Sequence, residues 1–322
     1  MIMNLGLPYK GSKNTIALDI VKALPRGKKF LDACCGGGAL LMAAAMSGRW
    51  EKVVGNDLNA ATIALLDAVL IHKGQIEYEH PPVCTREDFF HSLQRIENGD
   101  FTIQDCVNKY CASFGNNGQC YLWNHEIEKV KVNIEQMIVA PRLSERRRAF
   151  RRFIAYLEKQ AEFDLAKLEN IQQLQNLERL QRLERLERLE RLERLERLER
   201  LERLERLDIF NINYSEFDVV YFDIPYKGTA EYDFDFDYER FYRMFETLGK
   251  PAFLSEYESS YTCVGKFNKR ALLCKASRKN GKREGLEKLY FNGTIDEYKR
   301  LMGAEYRPLD EGKQIDIFEG VA

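Results

Sequence analysis

The chain has 322 residues, with 49 Lys and Arg against 50 Asp and Glu and a formal net charge of −1. That length can bury a full core, either as one large domain or as a core carrying an insert, and the balanced charge excludes a global basic surface, so any nucleic-acid contact must be a local patch. Met1 to Lys10 lacks the composition of a signal peptide, no apolar stretch approaches a membrane span, and the eight cysteines and four histidines lack paired metal-ligand spacing, so a soluble, cytoplasmic protein with reduced cysteines and no metal is expected.

Ile16, Ile20, Val21 and Leu24 recur at helical spacing after a polar turn beginning at Tyr9, and Pro25 with Gly27 ends the pattern. Lys29 to Ala33 reads as a short strand and Ala39 to Met46 as an Ala-rich buried helix. A second strand, Lys52 to Gly55, runs into Asn56-Asp57, and Ala60 to His72 supplies another helix. Alternating strand and helix predicts an α/β fold with a doubly wound sheet.

From about Gly74 to Leu143 the alternation stops. Pro81-Pro82, the polar turn Gly115-Asn116-Asn117-Gly118 and the aromatics Phe114, Tyr121 and Trp123 mark an inserted module. A basic helix follows, carrying Arg142, Arg146, Arg147, Arg148, Arg151 and Arg152. Core-type strands resume at Val219 to Phe222 and Pro251 to Glu256, and Phe267 to Phe291 reads as a polar hairpin turning at Lys279-Asn280-Gly281-Lys282.

Between insert and late strands, Leu-Glu-Arg recurs without interruption from Leu183 to Arg206, with degenerate copies back to about Leu174. Each Glu lies four residues before an Arg, as Glu184 does before Arg188, the favourable orientation for an ion pair on a helix. Leucines three apart drift by about 60 degrees per copy around such a helix and make a winding stripe that no flat partner covers. The run is expected to be helical, acting as a spacer or through self-association.

Two motifs carry chemistry. Asp32-Ala33-Cys34-Cys35-Gly36-Gly37-Gly38 joins the first strand to the Ala-rich helix, where Gly36 and Gly38 let the backbone approach a ligand. Asp57 ends the next strand, placed to accept both hydroxyls of a ribose. Alone, such a glycine run is also an ordinary tight turn. It lacks the spacing of the dinucleotide fingerprint and any phosphate grip, so S-adenosylmethionine fits better than NAD or ATP.

Asp223-Ile224-Pro225-Tyr226 closes the apolar run Phe217 to Phe222. A carboxylate, a backbone carbonyl ahead of a proline and an aromatic face can together hold a planar exocyclic amine. The plain alternative is a strand end closed by a proline turn, with Asp223 as a local cap.

In this order the elements resemble the Dam-type N6-adenine DNA methyltransferases. The likeness covers Pro8 to Lys13, Phe30 to Ala39, Asn56 to Asn59 and Val220 to Phe241, and touches Ser113 to Lys131. It implies a Rossmann-like methyltransferase core with S-adenosylmethionine as donor and a flipped adenine in duplex DNA as acceptor. Tyr9, Lys13, Asp32, Gly36, Gly38 and Asp57 would surround the cofactor, with Asn213 beside its adenine. Asp223, Ile224, Pro225 and Tyr226 would hold the target base. Arg146, Arg147 and Arg151 would meet phosphates and Asn116 and Asn117 the base edges.

The implied division is a catalytic core over 1–73 and 208–322, a mainly helical target-recognition insert over 74–160 and the repeat spacer over 161–207. A cognate restriction endonuclease or a solitary enzyme both suit this pattern. RNA or protein glutamine as acceptor, and a decayed fold acting in assembly through the repeat, are the alternatives. Ile224 stands where the usual tetrapeptide has its first proline, and retained chemistry with less rigidity is expected there.

Overall fold

The computed structural model describes residues 5–72, 84–114, 117–123, 125, 128, 133, 136, 142–161, 200–226, 236–269 and 285–308. They fall into two compact units: Met1–Gly6, Ser12–Leu66 and Arg197–Ala322 form one, and Leu7–Gly11 with Asp67–Glu196 the other.

The first unit is built on a seven-stranded sheet. β1 (Gly27–Asp32) lies between β2 (Trp50–Asn56) and β4 (Val219–Phe222), all parallel. β3 (Leu201–Glu205) pairs in parallel outside β2, and β5 (Ala252–Glu256) in parallel outside β4. β6 (Thr262–Lys269) and β7 (Gly285–Phe291) form an antiparallel pair, with β7 against β5. The order is therefore β3-β2-β1-β4-β5-β7-β6. The expected hairpin is present as β6 and β7, while its Lys279 to Lys282 turn lies outside the described residues.

β4 and β5 are buried on both faces along their whole length, and β4 accordingly reads as an unbroken apolar run: all four residues of β4 and all five of β5 are buried. Helices α1 (Ala17–Lys22), α2 (Ala39–Ser47) and α3 (Ala60–Leu70) follow the expected segments. Phe222, Ile224, Phe241, Phe245, Leu31 and Val54 share one apolar cluster around the end of β4.

The repeat departs from expectation where it is described. Leu201–Glu205 is an edge strand, not a helix. Its pairing runs Leu201 to Val53 and Arg203 to Val54, so Glu202 is the extra residue of a bulge. A period of three otherwise sends successive leucines to opposite faces of a strand, and the bulge absorbs the odd residue. Leu201 is buried, and a Cβ at Gly55 would meet Leu204 Cδ2 at 2.8 Å and Leu41 Cδ2 at 2.7 Å, so Gly55 leaves room for both leucines.

The repeat's charges also find partners. Glu202 lies 3.1 Å from Lys29 and from Lys52, and Arg203 pairs with Glu205 at 2.5 Å and Glu216 at 3.1 Å. A seat in a sheet, with backbone bonds to β2, outweighs the few tenths of a kcal/mol that each helical ion pair would contribute (~0.2–0.5 kcal/mol). The copies between 183 and 199 lie outside the described residues.

The second unit contains α4 (Arg86–Glu97), α5 (Ile103–Cys111) and α6 (Leu143–Ala161). Thr85 with Asp88, and Thr102 with Asp105, form capping boxes that start α4 and α5. Burial works against the charge on Asp105, but Arg95 and the Thr102 amide hold its carboxyl down at about 2. Cys84, Phe89, Ala112, Tyr121 and Trp123 form this unit's own apolar cluster. Among the described residues, no helix is long and apolar enough to cross a membrane.

Candidate active site

Strand order reverses between β1 and β4, and the crevice at the carboxyl ends of such strands is where open α/β sheets bind ligands. Both sequence motifs sit there: the glycine turn leaves β1 after Asp32, and Asp223–Tyr226 leaves β4, with Asp32 paired to Tyr221 across the ladder.

Gly36 (φ 48°) and Gly38 (φ 77°) take left-handed conformations in the turn, which side chains rarely adopt. Asp57 braces it from the end of β2: one carboxylate oxygen accepts from Gly36 N at 2.8 Å and the other from Asn59 N at 2.8 Å. Each oxygen keeps a further lone pair. Asn56, fully buried, donates to Ala33 O at 3.0 Å and Leu207 O at 3.1 Å and accepts from Leu207 N at 2.8 Å. It thereby ties the turn to the leucine that follows the last full copy of the repeat.

Asp32 is 1 % exposed, and neither carboxylate oxygen has a hydrogen-bond partner among the described residues. Burial, then the neighbouring charges of Asp223 and Asp57, push its pKa well above the usual range. Lys13 opposes that shift. Burial likewise raises Asp57. Carboxyl groups gathered in this way suit a cationic ligand, whose charge would offset their mutual repulsion.

On the other side of the crevice, Lys13 Nζ donates to Asp223 Oδ1 and Oδ2, each at 2.7 Å, and to the Tyr226 hydroxyl at 2.7 Å. It stands 5.0 Å from the Tyr226 ring centroid. The Tyr226 hydroxyl in turn donates to Glu287 Oε1, and burial, with Asp223 and Glu287 nearby, pushes its pKa far up. The Tyr257 ring meets Tyr226 edge-on at 4.7 Å, itself 42 % exposed. Ile224 is 1 % exposed within the apolar cluster, and none of the described peptide bonds is cis.

The structure thus brings Asp32, Gly36, Gly38, Asp57, Lys13, Asp223, Pro225 and Tyr226 to neighbouring strand ends of one unit. Lys13, expected beside the cofactor, bonds the tetrapeptide. Asn213 is exposed and bonds its own turn, accepting from Ser215 Oγ at 2.7 Å at the start of a 3₁₀ turn. Tyr9 belongs to the second unit and packs at 6.0 Å from Tyr110 there.

Arg146, Arg147 and Arg151 lie exposed on α6. Asn117 Oδ1 accepts from Gln119 N at 2.9 Å and Cys120 N at 3.0 Å, holding its loop, and Asn116 lies outside the described residues. Tyr257 and Glu287 join the site without belonging to a sequence motif, whereas Asn56 adjoins Asp57.

A family model, that of the D12 class N6 adenine-specific DNA methyltransferases, matches residues 9–267. No curated protein matches the chain.

Proposed function

Since the chain belongs to the D12 class N6 adenine-specific DNA methyltransferase family, and so is an enzyme that methylates adenine N6 in DNA, we propose that its two strand-end motifs divide donor from acceptor. S-adenosylmethionine lies against the turn after β1 and the target adenine against the segment after β4. The observation that carries this reading is the pairing of β1 with β4, which sets Asp32 beside Tyr221, two residues before Asp223.

When bound, the cofactor supplies an electrophilic methyl group on a positively charged sulfur. Gly36 and Gly38 leave the backbone bare on the side where the ligand approaches. The remaining lone pairs of Asp57 accept the ribose hydroxyls. Asp32, buried without a hydrogen-bond partner among the described residues, supplies the charge that a cationic ligand balances.

For the acceptor, Asp223 and the Ile224 carbonyl each accept one N–H of the adenine amine, turning the nitrogen lone pair toward the methyl group. The Asp223 charge also favours the positive charge that develops on nitrogen during transfer. Tyr226 offers a ring face to the base and Tyr257 stands at its edge. A stacked adenine cannot present its amine to a pocket, so the base is flipped out of the duplex.

In the second unit, Arg146, Arg147 and Arg151 take phosphates, and the loop of Asn117 reads base edges. The core in this proposal is 1–73 with 208–322, joined by the last copies of the repeat that form β3. The insert is 74–160, and the rest of 161–207 is the spacer.

Asp223→Ala tests the assignment. It is expected to abolish tritium transfer from labelled cofactor to DNA, and plasmid protection against adenine-sensitive restriction, while cofactor affinity by calorimetry stays near that of the unaltered protein. Normal turnover in this variant would overturn the assignment.

A further inference from the structure

Glu287 projects from β7 into the acceptor group without belonging to either motif. It is fully buried, Oε1 accepts from the Tyr226 hydroxyl, and the same oxygen stands 3.6 Å from Lys13 Nζ. Oε2 has no hydrogen-bond partner among the described residues. Leaving a buried carboxylate oxygen unbonded is unfavourable, and this one sits beside an ammonium whose three N–H donors are spent on Asp223 Oδ1, Asp223 Oδ2 and Tyr226.

That arrangement conflicts with a role for Asp223 as acceptor of an incoming amine. While Lys13 holds both oxygens, the charge of Asp223 is neutralised and its most accessible lone pairs are taken. For the amine to bond, the ammonium must release at least one oxygen, and a buried cation cannot be left without an anion.

We propose that Glu287 is a positioning residue that receives Lys13 when the target adenine enters. Lys13 exchanges an Asp223 oxygen for the Glu287 carboxylate, and Asp223 is freed to face the amine with its full negative charge. Tyr226 stays tethered to Glu287 throughout, so the ring that stacks on the base keeps its place. The exchange moves no proton and changes no bond order. Among the described residues, Asp32, Asp57, Cys34, Tyr221 and Tyr257 also interact electrostatically with this group, and Glu256 lies beside Tyr257; none of them bonds Glu287 Oε2. This inference rests on the assignment of Asp223 to the acceptor.

Glu287→Gln keeps the shape of the side chain and removes the charge that would receive the ammonium. Single-turnover methyl transfer is expected to fall by about tenfold or more, with cofactor dissociation constant and melting temperature unchanged. Glu287→Asp, which restores the charge one methylene further back, is expected to recover part of the rate. A wild-type rate in Glu287→Gln overturns the proposal, as does a loss matched by weaker cofactor binding or a lower melting temperature, or no recovery with Asp.

Should Glu287→Gln fail to fold, Glu287→Asp decides alone. A reduced rate at unchanged cofactor affinity supports the exchange, and a wild-type rate, or a cofactor affinity that falls with the rate, overturns it. The two readings fail separately: if Asp223→Ala turns over normally, the acceptor assignment itself is lost, whereas an inactive Asp223→Ala beside a fully active Glu287→Gln removes only the exchange.

Discussion

Gly6 lies outside the two motifs in sequence but packs directly against the glycine turn after β1. Its backbone is left-handed at φ 79°, and a Cβ there would stand 2.5 Å from Gly37 O and 2.7 Å from Ala39 N. Gly6→Ala therefore adds a left-handed strain of about 1–2 kcal/mol to a clash that the glycine turn relieves only by moving. The variant is expected to melt lower and to bind S-adenosylmethionine more weakly, read by thermal melts and calorimetry. Unchanged affinity would show that the turn's position is not what binds the ligand. Ile224 illustrates the opposite case, in which packing replaces covalent restraint. Proline would lock the backbone dihedral, and here the isoleucine side chain is instead buried among Phe222, Phe241 and Phe245, anchoring the same peptide from the core side.

The repeat shows how an element is decided by its seat. Leu201–Glu205 bears the same triplet as the copies upstream, so intrinsic preference cannot distinguish it, yet β2 offers an unpaired edge and Asn56 clamps Leu207 at the far end. Leu201→Ala is expected to cost ~2 kcal/mol or more as a large-to-small change at a buried site, measured by denaturant unfolding. Removing one whole triplet between Leu183 and Arg200 leaves the identical sequence entering β3, so the melting temperature is expected to stay put. A lowered value would mean that earlier copies also support the core. Helical patterning was misleading because the favourable Glu-to-Arg spacing speaks for an isolated helix, whereas backbone bonding to an open sheet edge is a tertiary term that no local pattern contains.

Across the molecule the charges nearly cancel, so DNA affinity must come from a concentrated patch, and the exposed arginines of α6 are the proposed one. Replacing Arg146, Arg147 and Arg151 together by Ala is expected to weaken binding across DNA sequences. It should also flatten the slope of log affinity against log salt by up to about 0.9 for each phosphate that is no longer neutralised. Fluorescence anisotropy over a salt series measures this, and an unchanged slope would place phosphate binding on another surface.

The alternation of strands and helices, the glycine turn, Asp57 and the Asp223–Tyr226 segment were all legible in the linear chain, because apolar periodicity and turn chemistry are local properties that each residue carries wherever it lies. From them the methyltransferase core and its family followed. Folding alone decided which remote groups meet. Parallel pairing of β1 with β4 set the two motifs at adjoining strand ends, Lys13 crossed 210 positions to reach Asp223, Glu287 came from an antiparallel strand, and the last copies of a repeat with helical spacing became a sheet edge. These outcomes depend on burial, charge balance and backbone bonding between segments far apart in sequence, and such terms come into being only once the chain has closed on itself.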